Sequence, residues 1–351
     1  MPGNSLAFPA RVGLAVGMHI AAWDPADAGT GAACYEVYLA AHEADDPAEP
    51  PESAGIVRHR MTDGHGKVPK EVWVAYAAHG AVTGYYVLEL PDLENRDRAI
   101  VELCVHPGVR RRGTGRELLR HAASRAAANG RSVLLGAVVS DSPGEAFARQ
   151  AGATLALEDI RRVQDLTKIA PDVVASLRET AARAAVGYTL ITWTGPVPDE
   201  NAGQIAEVFN AFNDAPHSEG WDDEMWDADR VRERSYTAIR AGLMRGYSVA
   251  AIAEATGEMA AITEIVLDPE QPERAHQQLT AVVKAHRGHR LGLLVKTAML
   301  EWLATAEPQL KRIATGNAAS NEHMIAVNEA LGYEVVPPAY RFYELAVGEV
   351  R

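Results

Sequence analysis

A basic loop that contains glycine occurs twice in this 351-residue chain, at positions 106–116 and again at 286–292. The loop arginines Arg110 and Arg287 lie 177 positions apart (287 minus 110), as do Gly115 and Gly292. Self-similarity at a fixed offset is typical of a repeated structural unit, and this offset is close to half of the chain. The repeat predicts two domains, at 1–167 and 188–351, joined by a linker at 168–187 that includes a helix.

The residues around each loop follow the same plan of strands and helices. In the first half, strands are predicted at 71–78, 82–90, 99–105 and 132–139, with a helix at 115–128. In the second half, strands are predicted at 248–254, 259–267, 278–283 and 310–316, with helices from Leu291 and at 321–331. Because strands and helices alternate, the chain is expected to form mixed α/β layers.

Composition disfavours several classes of function. The formal net charge of -13 argues against a nucleic-acid partner, because such proteins need surplus Lys and Arg to neutralise phosphates. It is better suited to a cationic small-molecule acceptor. The two cysteines, Cys34 and Cys104, are too few for a disulfide framework, so a cytoplasmic location is expected. No apolar run is long enough for a signal peptide or a membrane span, and no membrane partner is expected.

The first loop has the properties of an anion-binding site. Gly108, Gly113 and Gly115 permit a positive φ and a close approach of the main chain, and the neighbouring arginines attract phosphate. The N–H groups at the start of the following helix also attract anions. Two phosphate-binding motifs do not fit. A nucleotide-triphosphate loop needs a Lys where Thr114 stands, and a dinucleotide fingerprint needs a glycine where Leu118 stands.

The remaining pattern, Arg-x-x-Gly-x-Gly after an antiparallel strand, resembles the signature of the GNAT superfamily of N-acetyltransferases. The second loop keeps Arg287 and Gly292 but has Arg290 in place of the middle glycine. Asn321 and Gly332-Tyr333 resemble a later motif of the superfamily, and the tandem arrangement is similar to that of the mycothiol synthases. The resemblance implies an α/β fold in layered α+β form. It would contain two tandem GNAT-like domains, each a mixed, mostly antiparallel twisted sheet flanked by helices.

The resemblance implies that acetyl-CoA (coenzyme A) is the cofactor. The pantetheine arm would bind to the main chain of the strand before each loop, at Leu103, Cys104 and Val105 and at Ala281, Val282 and Val283. The pyrophosphate would bind to the loops, and the Asn of the later motif would also contact the cofactor. These residues are Arg110, Arg111, Arg112, Gly113, Thr114, Gly115 and Arg116, then Arg287, Gly288, His289, Arg290, Leu291 and Gly292, with Asn321.

The resemblance further implies direct acetyl transfer, in which an amine deprotonated by a general base attacks the thioester. Glu102 and Glu264 are the candidate catalytic bases, although an alternating strand position is more often a solvated face. The usual Tyr acid is replaced by Ala148 in the first half and by Asn328 in the second. An N-acetyltransferase is therefore the first hypothesis, and a non-catalytic acyl-CoA binding or sensing protein is the alternative.

The acceptor is expected to be a small-molecule amine, bound by a monomer or homodimer. Asp214, His217, Glu219 and Trp221 belong to an acidic, aromatic segment where the family's variable acceptor helices fall. The alternative for this segment is an exposed acidic loop that tryptophans anchor to the core. His286 and His289 have no third ligand at a suitable spacing, so no metal site is expected.

Overall fold

The repeated plan predicted from the sequence is visible in the order of strands and helices. A computed structural model describes residues 17–63, 65–214, 220–318 and 321–350, without the side chains of His65, Phe212 and Asp214. The strands in these ranges are β1 (His19–Ala22), β2 (Lys70–Tyr76), β3 (Val82–Glu89), β4 (Arg98–Val105), β5 (Val133–Val139), β6 (Thr154–Asp165), β7 (Tyr188–Thr194), β8 (Arg245–Ala253), β9 (Met259–Leu267), β10 (Arg274–Val282), β11 (Arg312–Ala318), β12 (Tyr333–Val335) and β13 (Tyr340–Ala346). The α-helices are α1 (Ala28–Asp45), α2 (Ala54–Thr62), α3 (Thr114–Ala128), α4 (Pro143–Gln150), α5 (Pro171–Ala184), α6 (Ala202–Asn210), α7 (Ala228–Arg234), α8 (Thr237–Arg240), α9 (Leu291–Ala306) and α10 (Glu322–Ala330).

The described residues pack as two units, the first of which contains residues 17–62, 68–155 and 342–350. Its strands lie in the order β1, β2, β3, β4, β5, with the part of β13 from Phe342 beside β5. Successive strand residues face opposite sides of a sheet. Tyr85 accordingly packs with residues of α1 and α2, whereas Tyr86 packs with residues of α3. The sheet is therefore covered on both faces.

The second unit contains Asp63–Lys67 and Ala156–Arg341, and it repeats this arrangement. Its strands lie in the order β6, β11, β10, β9, β8, β7. Ile265 on β9 packs in the core with α9, while Ile262 packs on the opposite face with residues of α6 and α7. Among the described neighbouring strands from β6 to β11, only β10 and β11 are parallel. Among those from β1 to β5, only β4 and β5 are parallel. The predicted fold class, tandem layers built on mostly antiparallel sheets, is confirmed.

The offset of 177 positions is a structural repeat as well as a sequence repeat. The strand before the loop ends at Val105 in the first unit and at Val282 in the second. A single 3₁₀ turn follows in each, at Pro107–Val109 and at Lys284–His286, and the next helix begins at Thr114 and at Leu291. Each pair of positions differs by 177, so the two loops have the same length and lie in the same structural context.

The packing units differ from the predicted ranges 1–167, 168–187 and 188–351. The segment expected to link the halves contains α5, whose Ala181 is fully buried in the core of the second unit. In addition, β6 from Ala156 onward belongs to the second unit, although it ends the first half of the sequence. The last strand, from Phe342, belongs to the first unit. The cause is strand pairing, since the closing strand of each sequence half joins the sheet of the other half.

No helix in the described part of the chain is both long and apolar enough to cross a membrane.

Candidate functional site

A gap opens between the two parallel strands of each unit. In the first unit, β4 and β5 pair only at Arg98–Ile100 and Val133–Leu135, although both strands continue. In the second unit, β10 and β11 pair only at Arg274–His276 and Arg312–Ala314 and then also continue. Beyond these short ladders, the described residues of the two strands are no longer paired with each other, so main-chain N–H and C=O groups face the gap. Such groups need another partner when they are buried, and an extended ligand can provide one.

The residues predicted to bind the pantetheine arm border these gaps. Leu103, Cys104 and Val105 lie on β4 beyond its ladder with β5, and they pair on the other side with β3. Val282 occupies the equivalent end of β10, and the Val283 N–H that follows donates to the Ala260 carbonyl. Burial raises the pKa of the Cys104 thiol to about 12, so its side chain is unsuited to act as a nucleophile.

The first loop is held in place by Arg110. The Nε of Arg110 donates to the Val105 carbonyl at 3.0 Å, and its two terminal nitrogens donate to the two Asp45 carboxylate oxygens at 2.7 Å each. Asp45 is the last residue of α1. The Arg110 side chain therefore fastens the loop to β4 and α1, and the phosphate contacts predicted for this loop stay a prediction.

Helix α3 begins without a side-chain cap. Gly113 is its N-cap residue and has φ of 97°, a left-handed conformation that favours glycine. Among the described residues, no side chain caps the first N–H groups of the helix, so these donors and the helix dipole can attract an anion. A Cβ on Gly115 would stand 3.6 Å from the Phe147 ring, which leaves room for an alanine but places a longer side chain against α4.

Both loops have left-handed residues at the same two positions, but the glycine occupies the second of these positions in the first loop and the first of them in the second loop. The first loop uses Arg111 (φ 63°) and Gly113, whereas the second uses Gly288 (φ 90°) and Arg290 (φ 54°). Arg111 corresponds to Gly288, and Gly113 to Arg290, at the offset of 177. Arg290 is the N-cap residue of α9, again without a side-chain cap. The departure from the sequence pattern thus preserves the backbone conformation, at a strain of about 1 kcal/mol for the arginine.

The histidines of the second loop pack on one tyrosine. Nδ1 of His286 lies 3.0 Å from the Tyr188 hydroxyl, and the His289 ring lies 5.4 Å from the Tyr188 ring. The Arg287 Nε points to the Val282 carbonyl at 3.4 Å, as Arg110 does to Val105 in the first loop. Within the described residues, no group of three His, Cys, Asp or Glu side chains is placed to bind a metal.

The two candidate bases occupy one cross-strand position. Glu102 on β4 lies opposite Val87 on β3, and Glu264 on β9 lies opposite Leu279 on β10. At the offset of 177, Glu264 corresponds to Val87 and Leu279 to Glu102. Each unit therefore has one glutamate in this cross-strand pair. In the first unit it lies on the strand that leads into the loop, β4, and in the second unit it lies on the neighbouring strand, β9. Aligning the two halves by their loops matches each glutamate with an apolar residue. The equivalence of the two glutamates therefore becomes visible only when the strand register is known.

The environments of these glutamates differ. The Glu102 side chain is 40% exposed, and Arg60 of α2 binds both of its oxygens, at 2.9 and 3.2 Å. Glu264 is 6% exposed, and burial raises its pKa to about 7. The Tyr236 hydroxyl (2.6 Å) and the Ser248 hydroxyl (3.3 Å) donate to Glu264 and oppose part of that rise. A pKa near 7 suits a general base that works at neutral pH.

The predicted acceptor segment is described only in part. His217 and Glu219 lie outside the described residues, as does the side chain of Asp214; Trp221 is half-buried. Two asparagines that the sequence analysis did not predict as functional residues form hydrogen bonds with the main chain of this segment. Asn210 exchanges hydrogen bonds with the main chain of Trp226, and Asn213 does so with that of Glu224. The acceptor role of the segment stays a prediction.

The residues of the later motif have structural contacts of their own. Asn321 caps α10, where its side-chain oxygen accepts from the Met324 N–H at 3.3 Å. Asn328, at the position of the usual Tyr, is 1% exposed and donates from Nδ2 to the Asn317 side chain at 2.8 Å. Its amide cannot supply a proton as a phenol does, which leaves the second unit without that acid.

Known proteins share these features. A family model described as an acetyltransferase (GNAT) domain matches residues 69–152. A mycothiol acetyltransferase of Mycolicibacterium paratuberculosis (strain ATCC BAA-968 / K-10) is 26% identical over 259 residues, 73% of each chain. The structure of a tandem GNAT protein from the clavulanic acid biosynthesis pathway is 29% identical, with a TM-score of 0.77, and the match covers 94% of this chain and 99% of that one. A GCN5-related N-acetyltransferase from Sphaerobacter thermophilus shares the fold at 17% identity, with a TM-score of 0.65 over 95% of this chain and 97% of its own.

Proposed function

We propose that this chain, which contains a GNAT acetyltransferase domain at residues 69–152 and resembles a tandem GNAT protein over most of its length, transfers an acetyl group from acetyl-CoA to the amine of a small molecule. One observation carries the proposal. In each unit, an unpaired strand end leads through a loop with two left-handed residues into a helix that has no side-chain cap. That combination offers main-chain donors to a pyrophosphate at one end and to an extended arm in the gap.

The proposed reaction is direct. The ammonium group of the acceptor loses one proton to the base, and the resulting amine attacks the thioester carbonyl carbon. As the C–N bond forms and the C–S bond breaks, the electron pair leaves with the coenzyme A sulfur, and the second amine proton neutralises this thiolate through solvent. Main-chain N–H groups at the gap would stabilise the developing oxyanion.

We assign the chemistry to the second unit. Glu264 is buried, and its pKa of about 7 allows it to accept a proton at neutral pH. The Glu102 side chain is instead 40% exposed, and both of its carboxylate oxygens are engaged by Arg60 in an ion pair. The first unit would bind coenzyme A without being the main site of transfer. The alternative, a sensing protein that binds acyl-CoA but transfers nothing, is favoured by Asn328 and Ala148 at the positions of the usual acid.

Calorimetric titration with coenzyme A tests the binding part of the proposal. The wild-type protein should bind two molecules, and Gly115→Glu and Gly292→Glu should each lose one, because the new carboxylate enters the pyrophosphate site. Gly203→Glu is a matched control, since Gly203 lies on an open surface of α6 and the change adds the same charge. Unchanged stoichiometry in both loop variants would show that the loops are not the binding sites.

Acetyl transfer to a panel of primary amines, followed by release of coenzyme A thiol, tests the catalytic part. The wild type should release thiol in an amine-dependent way, and Glu264→Gln should lower the rate far more than Glu102→Gln does. Two bound coenzyme A molecules together with no amine-dependent release across the panel would favour the sensing protein.

A further inference from the structure

Asp159 reaches from β6 onto the neighbouring strand. In the regular antiparallel pairing of β6 with β11, Asp159 lies opposite Ala318. Its carboxylate lies over Gly316, with Cγ and Oδ1 each 2.7 Å from the point that a Cβ on Gly316 would occupy. Any side chain at position 316 would therefore displace the carboxylate. A glycine inside a strand often marks such a close approach, and here it allows an acidic group to lie on β11.

Strand β11 forms one edge of the gap in the second unit. Its ladder with β10 ends at Ala314, and Gly316 lies two residues, or about 7 Å, farther along the strand. The Asp159 carboxylate is thus one strand removed from the gap, but its side chain extends onto the strand that borders the gap.

The carboxylate faces the same side of the sheet as the candidate base. Ile313 packs in the core beneath α9 and lies opposite Gln164 of β6. Because strand residues alternate, Asp159, five positions from Gln164, faces away from α9. Glu264 also faces away from α9, since its partner Tyr236 packs in the core on that other face. Glu264 lies on β9, next to β10, so the two carboxylates flank the gap from opposite sides.

Asp159 has an unsatisfied charge. No described residue donates a hydrogen bond to its carboxylate or forms an ion pair with it. Burial raises its pKa, and the positive charge of Arg162 opposes part of that rise. A half-buried carboxylate without a donor gains free energy when a cation binds to it.

We propose that Asp159 binds the ammonium group of the acceptor and completes the acceptor site of the second unit, so that the acceptor is a cationic amine. This inference rests on the proposed function, because it requires the thioester to lie in the gap between β10 and β11. Asp159 holds the ammonium on the β11 side, and Glu264 on the β9 side takes the proton that the amine must lose. A residue from the first half of the sequence thereby serves the site of the second unit.

Two coenzyme A thioethers test the proposal without knowledge of the natural acceptor. S-(2-aminoethyl)-coenzyme A places an ammonium group just beyond the sulfur, and S-propyl-coenzyme A is a neutral analogue of similar size. Both are titrated by calorimetry at pH 7 into the full-length Gly115→Glu protein, in which only the second loop is intact. We expect the ammonium analogue to bind about tenfold more tightly, because its charge meets the Asp159 carboxylate.

Variants assign that preference to Asp159. Asp159→Asn removes the charge, and Gly316→Ala displaces the carboxylate with a single methyl group, so both should abolish the preference while the propyl analogue still binds. Asp165→Asn, six residues farther along the same face of β6, should keep the preference. Equal affinity for the two analogues in the parent protein, or a preference that survives both Asp159→Asn and Gly316→Ala, would overturn the inference alone. Failure of both analogues to bind the parent protein would instead overturn the proposed coenzyme site of the second unit, and the inference with it.

Discussion

Lys296 offers a direct test of the buried charges in the second unit. It lies on α9, is 3% exposed, and donates from Nζ to the Gln277 side-chain oxygen at 2.9 Å. Its Nζ also stands 4.8 Å from the centre of the Tyr333 ring. No carboxylate among the described residues forms an ion pair with it. Burial lowers the pKa of Lys296 to about 7, so the folded protein disfavours its charged form.

The size of this effect follows from the shift. The pKa falls from 10.5 to about 7, and each pKa unit corresponds to 1.36 kcal/mol, so charging Lys296 costs the folded state about 5 kcal/mol. Between pH 7 and 10.5, the unfolded chain binds this proton and the folded protein does not. The free energy of unfolding should therefore rise with pH across this window, and the stabilisation is lost as the pH falls toward 7.

Replacing Lys296 by methionine removes this dependence. We expect urea unfolding curves, followed by tryptophan fluorescence from pH 7 to 9.5, to show wild-type stability rising by about 3 kcal/mol relative to Lys296→Met. Leu119→Met is the control, since Leu119 occupies the equivalent position of the first unit (296 minus 119 is 177), and it should leave the slope unchanged. Parallel pH curves for the wild type and Lys296→Met would refute the reasoning.

Three further predictions concern the sites and the exchanged strand. Glu264→Gln should lower kcat about 100-fold and abolish the rise in kcat through pH 7 seen in a wild-type pH–rate profile, with coenzyme A affinity unchanged in a titration. Arg110→Met should reduce stability by about 2 kcal/mol in urea, because it leaves the Asp45 carboxylate unpaired, and should weaken only one of the two coenzyme A sites. Deleting residues 342–351 removes Tyr343, which donates to Glu145, so hydrogen exchange should accelerate in α4 and not in α9.

The loops and the elements beside them could be predicted from the sequence because their signals are local. The strand predicted at 99–105 is observed at Arg98–Val105, and the helix predicted at 115–128 is observed at Thr114–Ala128. Glycines that permit left-handed turns and apolar residues at helical spacing act over a few residues, so a single stretch of sequence contains them. The helix predicted from Leu291 also begins there.

Contacts between distant segments could not be predicted in this way. The stretch 43–53 has the composition of a mobile loop, yet α1 continues to Asp45, where its carboxylate meets Arg110. The exchange of closing strands between the halves is likewise a matter of pairing between residues far apart in the chain. Asp159 had one local signal, the isolated glycine in the strand that contains Gly316, but the sequence does not show which side chain fills that space.

In this chain, the unit whose loop matches the Arg-x-x-Gly-x-Gly pattern more closely is not the unit that contains Glu264 and Lys296, the buried side chains with pKa values shifted to about 7. The first unit has the stricter loop, but it pairs Glu102 with Arg60 and has Leu119 where the second unit has Lys296. The second unit has the irregular loop, yet its left-handed residues are retained and its buried ionisable side chains have shifted pKa values. Buried, poorly paired charges reduce stability, so their concentration in one of two related units favours that unit as the place of reaction. We therefore infer that the duplicated fold has kept the more regular cofactor loop in one copy and the reactive groups in the other.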